Sequence, residues 1–416
     1  MKEGFAALVA LDWADERHIG YLQARGKDEW ERFVLKQTPE AIQQWVGELR
    51  QRFKGEKIAL VVEQRRGALI YALQKYEIFV IFPLNTTAAK NYRKALRASG
   101  AKDDVSDAEI QLTFLRNHIQ IMRRLDPDTA RTRRLRLLVE HRRKLVNRAT
   151  ALGNQLTAEL KEYFPLALQC VAKIRSRMAC EFLRSWPSLE RLKKANEQEV
   201  RTFYFQRNCR SKNLIETRIS AIRNAVPLVE EKPILQAYEL MTLTAVRQIK
   251  AVLFCIKAVD KEIEKIFNSH PDAALFKSFP AAAAAMAPRL AVATGEDRTR
   301  FESAAALANF SGISPVSIES GKSKTIAFRL AAPKFQRQTF HEYAAMSLRQ
   351  SLWANAVYQL QRQRGKSHHA ALRVVAYKWI RIIYRCWINR QQYDERKYLE
   401  VLKKKNPDFY QKLKIA

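Results

Sequence analysis

The order of apolar and polar residues up to residue 83 predicts an α/β domain. Continuous apolar runs at 5–13, 58–63 and 78–83 are typical of buried strands. Two stretches between the first pair of runs, 16–23 and 30–36, are interpreted as additional strands. Three early strands followed by strand–helix–strand alternation fit an RNase H-like layer, in which an antiparallel triplet is extended by parallel strands.

Helices are predicted between these strands. Residues 38–53 begin with Thr38 as a candidate N-cap and carry apolar residues at helical spacing, and 68–76 predict a second helix. A doubly wound nucleotide-binding fold would alternate in the same way. It would need a glycine-rich turn after the first strand, and residues 11–18 contain no glycine.

From about residue 126 the pattern changes to apolar residues near heptad spacing, first in 133–160 and again in 233–268. We interpret these stretches as two long helices of an arm that forms an antiparallel coiled coil. The sequence beyond the arm is mainly helical and is interrupted by a loop rich in glycine and serine at 307–325. The predicted fold class is therefore α/β plus all-α, with segments 1–125 (α/β domain), 126–270 (helical arm), 271–390 (mainly helical C-terminal domain) and 391–416 (basic tail).

The charge balance indicates a polyanionic partner. The 416 residues include 74 Lys and Arg against 42 Asp and Glu, a formal net charge of +32 at pH 7. Such a field attracts a phosphate backbone or an anionic membrane surface. No apolar run is long enough to span a bilayer and no signal peptide is evident, so we expect a cytoplasmic protein without a membrane partner. Five cysteines without a CxxC pair support neither a zinc site nor a disulfide framework.

Arginines are concentrated in the first predicted arm helix. They include Arg133, Arg134, Arg142 and Arg143. Such a run is either a solvated helix face or a surface that follows the backbone of DNA or RNA, and the sequence leaves both interpretations open.

Four acidic residues are candidates for a metal site. Asp12 ends the first predicted strand and Glu63 ends the next central strand, whereas Asp104 and Asp107 are spaced to share one face of a helix. Carboxylate oxygens are the ligands that Mg²⁺ prefers, and Mn²⁺ is the alternative cofactor. Metal ions held by several carboxylates can stabilise both the attacking and the leaving oxygen of a phosphodiester. Each carboxylate alone is more often a cap or a surface charge, so the signal lies in the combination.

The three stretches that carry this quartet resemble the transposases of the insertion sequence 110 family: ALDWADERH, VVEQRRGALIYAL and KDDVSDA. The resemblance implies a RuvC-like nuclease fold and assigns Asp12, Glu63, Asp104 and Asp107 to the family's acidic quartet. Two departures are visible. Asp103 replaces the family's usual threonine, and Gln64 to Arg66 replace the residues that usually follow the glutamate.

A second resemblance lies near the C-terminal end, where GEDRTRFESAAALANFSGISPVSIESGKSK is similar to the serine domain of the same family. It implies that Ser320 is the nucleophile of a composite site shared with the acidic quartet. Neighbouring cations are candidates to hold phosphates: Lys322, Lys324, Arg329, Lys334 and Arg337. The family's Pro-Gly-x-Gly segment is replaced at 280–283 by a proline and three alanines, so we expect no phosphate contact of the backbone there.

The resemblance also implies partners: donor and target DNA, a noncoding bridge RNA that pairs with both, and a homodimer or homotetramer in a bacterial cytoplasm, associated with the nucleoid. The basic arm and the C-terminal aromatics Trp379, Tyr384 and Trp387 are candidate RNA contacts, although such aromatics are more often core. Two other functions stay open: a RuvC-like structure-selective nuclease or site-specific DNA invertase, and a non-catalytic nucleic-acid-binding protein.

Overall fold

The structure is a computed structural model that describes residues 4–64, 66–96, 104–125, 128–321, 323–329 and 332–413. It divides into two compact units, the first ending at residue 127 and the second beginning at residue 128. No helix in these described ranges is long and apolar enough to cross a bilayer.

The first unit is a mixed sheet with helices on both faces. Its elements are β1 (Ala7–Asp12), β2 (Arg17–Ala24), β3 (Glu31–Lys36), α1 (Pro39–Arg52), β4 (Ile58–Val62), α2 (Ala68–Leu73), β5 (Phe79–Pro83), α3 (Thr86–Leu96) and α4 (Asp104–His118). The strand order is β3-β2-β1-β4-β5. β2 is antiparallel to β1 and β3, whereas β4 is parallel to β1 and β5. The predicted strands are present, and they form the expected antiparallel triplet extended by parallel strands.

Two hydrophobic layers explain why the central strands are apolar throughout. Alternate residues of β1, such as Val9 and Leu11, pack with α1 and α2, whereas Leu8 and Ala10 pack with α4. A strand that is buried on both faces needs apolar residues at every position. The helix α1 begins where the sequence predicts, since Thr38 Oγ1 accepts a hydrogen bond of 3.2 Å from the N–H of Ala41.

The second unit is mainly helical. Its elements are α5 (Ala130–Tyr163), α6 (Leu166–Cys170), α7 (Arg177–Ser185), α8 (Leu189–Lys193), α9 (Glu197–Gln206), α10 (Lys212–Asn224), α11 (Lys232–Asn268), α12 (Ala273–Lys277), α13 (Met286–Thr294), α14 (Ala304–Phe310), β6 (Val316–Ser320), β7 (Ser323–Ala327), α15 (Lys334–Ser347), α16 (Leu352–Gln363), α17 (His368–Ile388), α18 (Glu395–Lys405) and α19 (Pro407–Leu413).

The long helices α5 and α11 form an antiparallel pair. At one end Arg131 donates to the carbonyl of Ser269 at 2.6 Å, and at the other the hydroxyls of Tyr163 and Thr242 are 2.8 Å apart. The pair connects two separate hydrophobic cores. The basal core contains the start of α5 and the end of α11 together with α12 to α17, and the distal core contains the other ends of both helices together with α6 to α10.

Two segments of the second unit have secondary structure that the sequence analysis does not predict. The expected glycine- and serine-rich loop contains an antiparallel hairpin, β6–β7, because β-branched residues such as Val316, Ile318 and Ile326 alternate with polar ones around a turn at Gly321. The C-terminal basic segment forms α18 and α19, whose apolar residues Leu399, Leu402 and Phe409 pack on the basal core.

Candidate functional site

The parallel pairing of β1 with β4 places two acidic residues side by side. Leu11 is the register partner of Val62, so the next residues, Asp12 and Glu63, leave the sheet at the same carboxyl edge. Both side chains are partly exposed at that edge. The carboxyl ends of parallel strands are where α/β folds place their chemistry, because each chain turns away there and leaves a crevice.

The helix α4 brings a polar face to the same edge. Ala108, Leu112 and Leu115 bury its apolar face against the sheet. Beside them, the side-chain amide of Gln111 donates to Asp12 Oδ1 at 2.9 Å. Asp107 lies one turn before Gln111, and Asp104 begins the helix one turn earlier. The backbone therefore places positions 104, 107 and 111 on one face of α4.

The carboxylate of Asp107 is neutralised within the first unit. It is buried, with a relative exposure of 6%, and forms an ion pair with Arg93 of α3. The side chain of Asp104 lies outside the described residues, as does Lys102 of the matching motif. In the described ranges, no three His, Cys, Asp or Glu side chains are grouped so that they could hold a metal ion. The structure thus brings Asp12 and Glu63 together by strand register and pairs Asp107 with a cation.

Residues that the sequence does not single out support this edge. Gln111 holds Asp12, Arg93 holds Asp107, and the ring of His18 accepts a hydrogen bond of 3.1 Å from the N–H of Ala14 in the loop after Asp12. Burial lowers the pKa of His18, so its imidazole is neutral near pH 7 and can accept that bond. The contacts of Gln111 and Arg93 depend on how the helices pack, and no local pattern signals them.

Ser320 lies at the tip of the β6–β7 hairpin. It is the last residue of β6, pairs with Ser323 across the turn, and is exposed. Gly321 follows it with a φ of +56°, a left-handed conformation that glycine adopts without strain. Among the described residues of the second unit, no side chain hydrogen-bonds to the Ser320 hydroxyl. Ser311, another serine of the stretch that resembles the serine domain, is buried and donates to the carbonyl of Leu307 at 2.7 Å, so it is not available to a substrate.

The segment that follows the return strand β7 carries an aromatic ring between two cations. The guanidinium of Arg337 lies 4.8 Å from the centre of the Phe328 ring, and that of Arg373 lies 5.5 Å from it. The same segment passes close to Gly312, whose φ is +66° and where a Cβ atom would lie 2.4 Å from that of Ala332. Gly312 is therefore required both for its backbone conformation and for space.

The predicted phosphate-binding cations near Ser320 occupy different settings. Lys334 is exposed at the start of α15, and Arg329 and Arg337 are partly buried beside the hairpin. Arg337 donates to the carbonyl of Arg329 at 3.4 Å, and Arg329 donates to Asn309 Oδ1 at 3.4 Å. Lys322 and the side chain of Lys324 lie outside the described residues.

Three of the four arm arginines form ion pairs within the second unit. Arg134 pairs with Glu262 at 2.5 Å, Arg142 pairs with Asp260, and Arg143 pairs with Glu342 at 2.8 Å. Arg133 also has a polar interaction within the chain. These pairs hold α5 to its neighbours and reduce the charge that is free to meet a phosphate.

The C-terminal aromatic residues belong to the basal core. Trp379 and Trp387 are fully buried, and Tyr384 donates to the carbonyl of Phe301 at 2.9 Å. The basic residues among them point elsewhere, since Arg381 and Arg385 are exposed. The rings therefore pack in the core and stabilise the fold.

The turn at 280–283 keeps a left-handed residue without glycine. Ala281 has a φ of +58°, at the position where the resembling family has its first glycine, and its N–H donates to Gln350 Oε1 at 2.5 Å. That N–H is thus already satisfied within the chain.

Comparison with known proteins gives one family for both parts of the chain. A family model described as a transposase, of the DEDD type of IS110, matches residues 9–165, and a model of the transposase IS116/IS110/IS902 family matches residues 273–359. The mini-circle putative transposase for IS117 of Streptomyces coelicolor is 26% identical over 354 residues, which cover 82% of this chain and 83% of that protein.

Two further relatives also come from insertion elements. An uncharacterized 43.6 kDa protein of insertion element IS110 from Streptomyces coelicolor is 25% identical over 289 residues, 68% of this chain and 70% of its own length. An uncharacterized 42 kDa protein of insertion element IS900 from Mycobacterium paratuberculosis is 25% identical over 217 residues, 50% and 52% of the two chains. Both matched regions and these relatives lead to one conclusion: the chain belongs to the IS110 family of transposases.

Proposed function

We propose that this transposase cuts and rejoins DNA strands with an acidic metal site in an RNase H-like (RuvC-like) first unit and with Ser320 as nucleophile. The observation that carries the first part is the adjacency of Asp12 and Glu63 at the carboxyl edge of the β3-β2-β1-β4-β5 sheet. Two carboxylates from neighbouring parallel strands and a polar face of α4 beside them suit oxygen-ligand chemistry.

The donor set fits a hard divalent cation. Asp12, Glu63, Asp104 and Asp107 would hold Mg²⁺ or Mn²⁺, and a bound ion would neutralise charge that develops on the phosphodiester oxygens. Gln111 fixes the orientation of the Asp12 carboxylate through its amide hydrogen bond. Arg93 balances the charge of Asp107, which lies buried beside it.

Ser320 is suited to attack by its place at the hairpin tip. In the proposed step Ser320 Oγ forms a bond to phosphorus, and the bond from phosphorus to a deoxyribose oxygen breaks. The serine proton is removed and the leaving oxygen is protonated. The resulting phosphoserine diester retains the bond energy, so attack by another deoxyribose hydroxyl rejoins the strand and frees the serine. Lys322, Lys324, Arg329, Lys334 and Arg337 are the proposed phosphate contacts.

The family resemblance supports the remaining parts of the proposal. We infer that a noncoding bridge RNA guides the choice of donor and target DNA, and that the active assembly is a homodimer or homotetramer associated with the bacterial nucleoid. Arg133, Arg134, Arg142 and Arg143 contribute to nucleic-acid binding where their ion pairs leave a donor available.

A trapping experiment tests the nucleophile. The protein is incubated with DNA that carries its element's end and with Mg²⁺, and the products are separated on a denaturing gel. We expect a covalent protein–DNA adduct that disappears in Ser320→Ala and persists in Ser317→Ala, a matched control because Ser317 is exposed on the same strand. Free ends without an adduct would instead indicate a hydrolytic nuclease, and an adduct in Ser320→Ala would remove this serine from the mechanism.

The acidic site is tested in the same reaction. Asp12→Asn should abolish strand cleavage while DNA binding remains, and Asp15→Asn serves as the control because Asp15 is an exposed carboxylate three residues away. Unchanged cleavage by Asp12→Asn would exclude Asp12 from the catalytic site. Sequencing of RNA that copurifies with the protein tests guidance, since the absence of a discrete RNA from the element's flank would contradict it.

A further inference from the structure

A basic cleft lies between α17 and α18, beyond the residues that either family model matches. Its volume is about 590 Å³, within the range of ligand-binding pockets in proteins. The wall from α17 consists of residues at i, i+3, i+4, i+7 and i+8 from Lys378, which form one helix face. The wall from α18 runs from Lys397 to Lys405.

Cations line both walls of this cleft. They are Lys378, Arg381 and Arg385 on α17 and Lys397 and Lys405 on α18. All five are exposed, and none forms an ion pair with a described residue. The acidic residue in the lining is Asp394, whose Oδ1 accepts the N–H groups of residues 396 and 397 as the cap of α18. The cleft therefore carries positive charge that the described part of the chain does not balance.

Lys378 shows the electrostatic cost of this arrangement. Its side chain is exposed overall, but its ammonium group is partly desolvated in the cleft; this lowers the pKa of the ammonium group, and the neighbouring Arg381 guanidinium lowers it further. A bound anion would relieve this repulsion, because an opposite charge within a few ångströms favours the charged form of a lysine.

The apolar residues of the two walls form a continuous part of the lining, which we call the floor. They are Ile382 and Cys386 on α17 and Tyr398, Val401 and Leu402 on α18, and Tyr398 is partly buried because it packs against Trp353. A double helix presents its phosphates outward and keeps its base faces stacked inside. An unpaired nucleotide presents both a phosphate and an apolar base face, which matches a floor of this kind between two rows of cations.

We propose that this cleft binds an unpaired nucleotide of a single-stranded nucleic acid, with the phosphate held by the cations and the base on the apolar floor. The proposal deepens the proposed function, from which it takes the class of partner. It does not depend on the acidic quartet or on Ser320.

Two cysteines of the chain allow a test with a built-in control. Cys386 is partly buried in the cleft, where burial raises the pKa of its thiol to about 11, and Cys255 is exposed on α11, away from the cleft. The full-length protein is alkylated with iodoacetamide at pH 8.5, with and without a saturating 12-nucleotide strand, and each thiol is quantified by peptide mass spectrometry. We expect the strand to slow alkylation of Cys386 at least fivefold and that of Cys255 less than twofold.

Three probes of one sequence identify the ligand: single-stranded RNA, single-stranded DNA and duplex DNA. Protection by either single strand supports the proposal and shows whether the cleft binds RNA or DNA. Equal protection by the duplex, or no selective protection of Cys386 by any probe, would overturn it.

Charge reversal on the two walls tests whether the protection of Cys386 depends on the cleft. Arg381→Glu with Lys397→Glu should reduce the protection of Cys386 to less than twofold. The matched control, Lys403→Glu with Lys404→Glu, changes the net charge equally on α18 outside the cleft lining and should retain protection. Equal loss in both variants would mean general electrostatic attraction and would refute the cleft. The wild-type measurement stands even if one variant folds poorly, and Cys386 protection in Ser320→Ala separates this proposal from the proposed catalysis.

Discussion

Replacement of Gly312 by alanine tests how the Ser320 hairpin is held. At a φ of +66° an L-residue is strained by about 1–2 kcal/mol, and the smaller entropy of the unfolded alanine chain offsets about 0.4–1 kcal/mol of this cost. The new Cβ would lie 2.4 Å from Ala332 Cβ, and such overpacking costs about 1–3 kcal/mol. We therefore expect Gly312→Ala to lower the free energy of unfolding by about 1–5 kcal/mol.

A matched glycine separates strain from collision. Gly365 has a φ of +77°, but a Cβ there meets no atom within 4 Å, so Gly365→Ala should cost only about 1 kcal/mol. Adding Ala332→Gly to Gly312→Ala removes the partner of the collision. The double-mutant cycle should then show a favourable coupling of about 1–3 kcal/mol.

Urea unfolding of the full-length chain, followed by circular dichroism, provides the free energies for this cycle. Strictly additive effects of the two substitutions would refute the close approach of Ala332, which follows β7 in the chain, to Gly312. Equal costs at Gly312 and Gly365 would lead to the same conclusion, since they would leave only backbone strain.

Three further predictions concern the buried polar groups. Gln111→Met keeps the side-chain volume but removes the donor to Asp12. Strand cleavage should therefore fall about 10- to 100-fold, while the free energy of unfolding changes by less than about 1 kcal/mol. A loss of stability without a loss of cleavage would contradict the positioning role. Trp379→Phe should cost about 2–3 kcal/mol, because the indole is fully buried and donates to Ser347 Oγ at 2.8 Å; weaker RNA binding at full stability would place the ring at a surface instead. Burial lowers the pKa of His270 below 6.5, so on acidification the unfolded chain takes up a proton before the folded chain does. The stability that neutral His270 contributes should be complete above about pH 6.5 and decline as the pH falls. In urea titrations, the free energy of unfolding of His270→Gln should depend less on pH.

The sheet could be predicted because its signals are local. The runs that form β1 and β4 are apolar at every position, as strands buried on two faces must be, and Thr38 caps α1 as its spacing indicates. The positions of Asp12 and Glu63 follow from the same strands, since each residue comes at the carboxyl end of one.

The contacts of the candidate site could not be predicted in the same way. Gln111 reaches Asp12, and Arg93 reaches Asp107, only after helices α3 and α4 have packed on the sheet. The β6–β7 hairpin was missed because its strands have five residues each and lie among serines and glycines that also favour loops. In the arm, sequence spacing predicted two helices, but only the structure shows that Arg142 and Arg143 are ion-paired.

Because α5 and α11 pair antiparallel, the length of the arm can change without any change in the basal or the distal core. The chain leaves the basal core through α5 and returns to it through α11, and the 34 residues of α5 at about 1.5 Å each span about 50 Å. Inserting seven residues at facing positions of both helices would carry the distal core about 10 Å farther out and restore nearly the same facing surface. The distance between the two cores is thus set by chain length alone, and relatives could adjust it without altering either end.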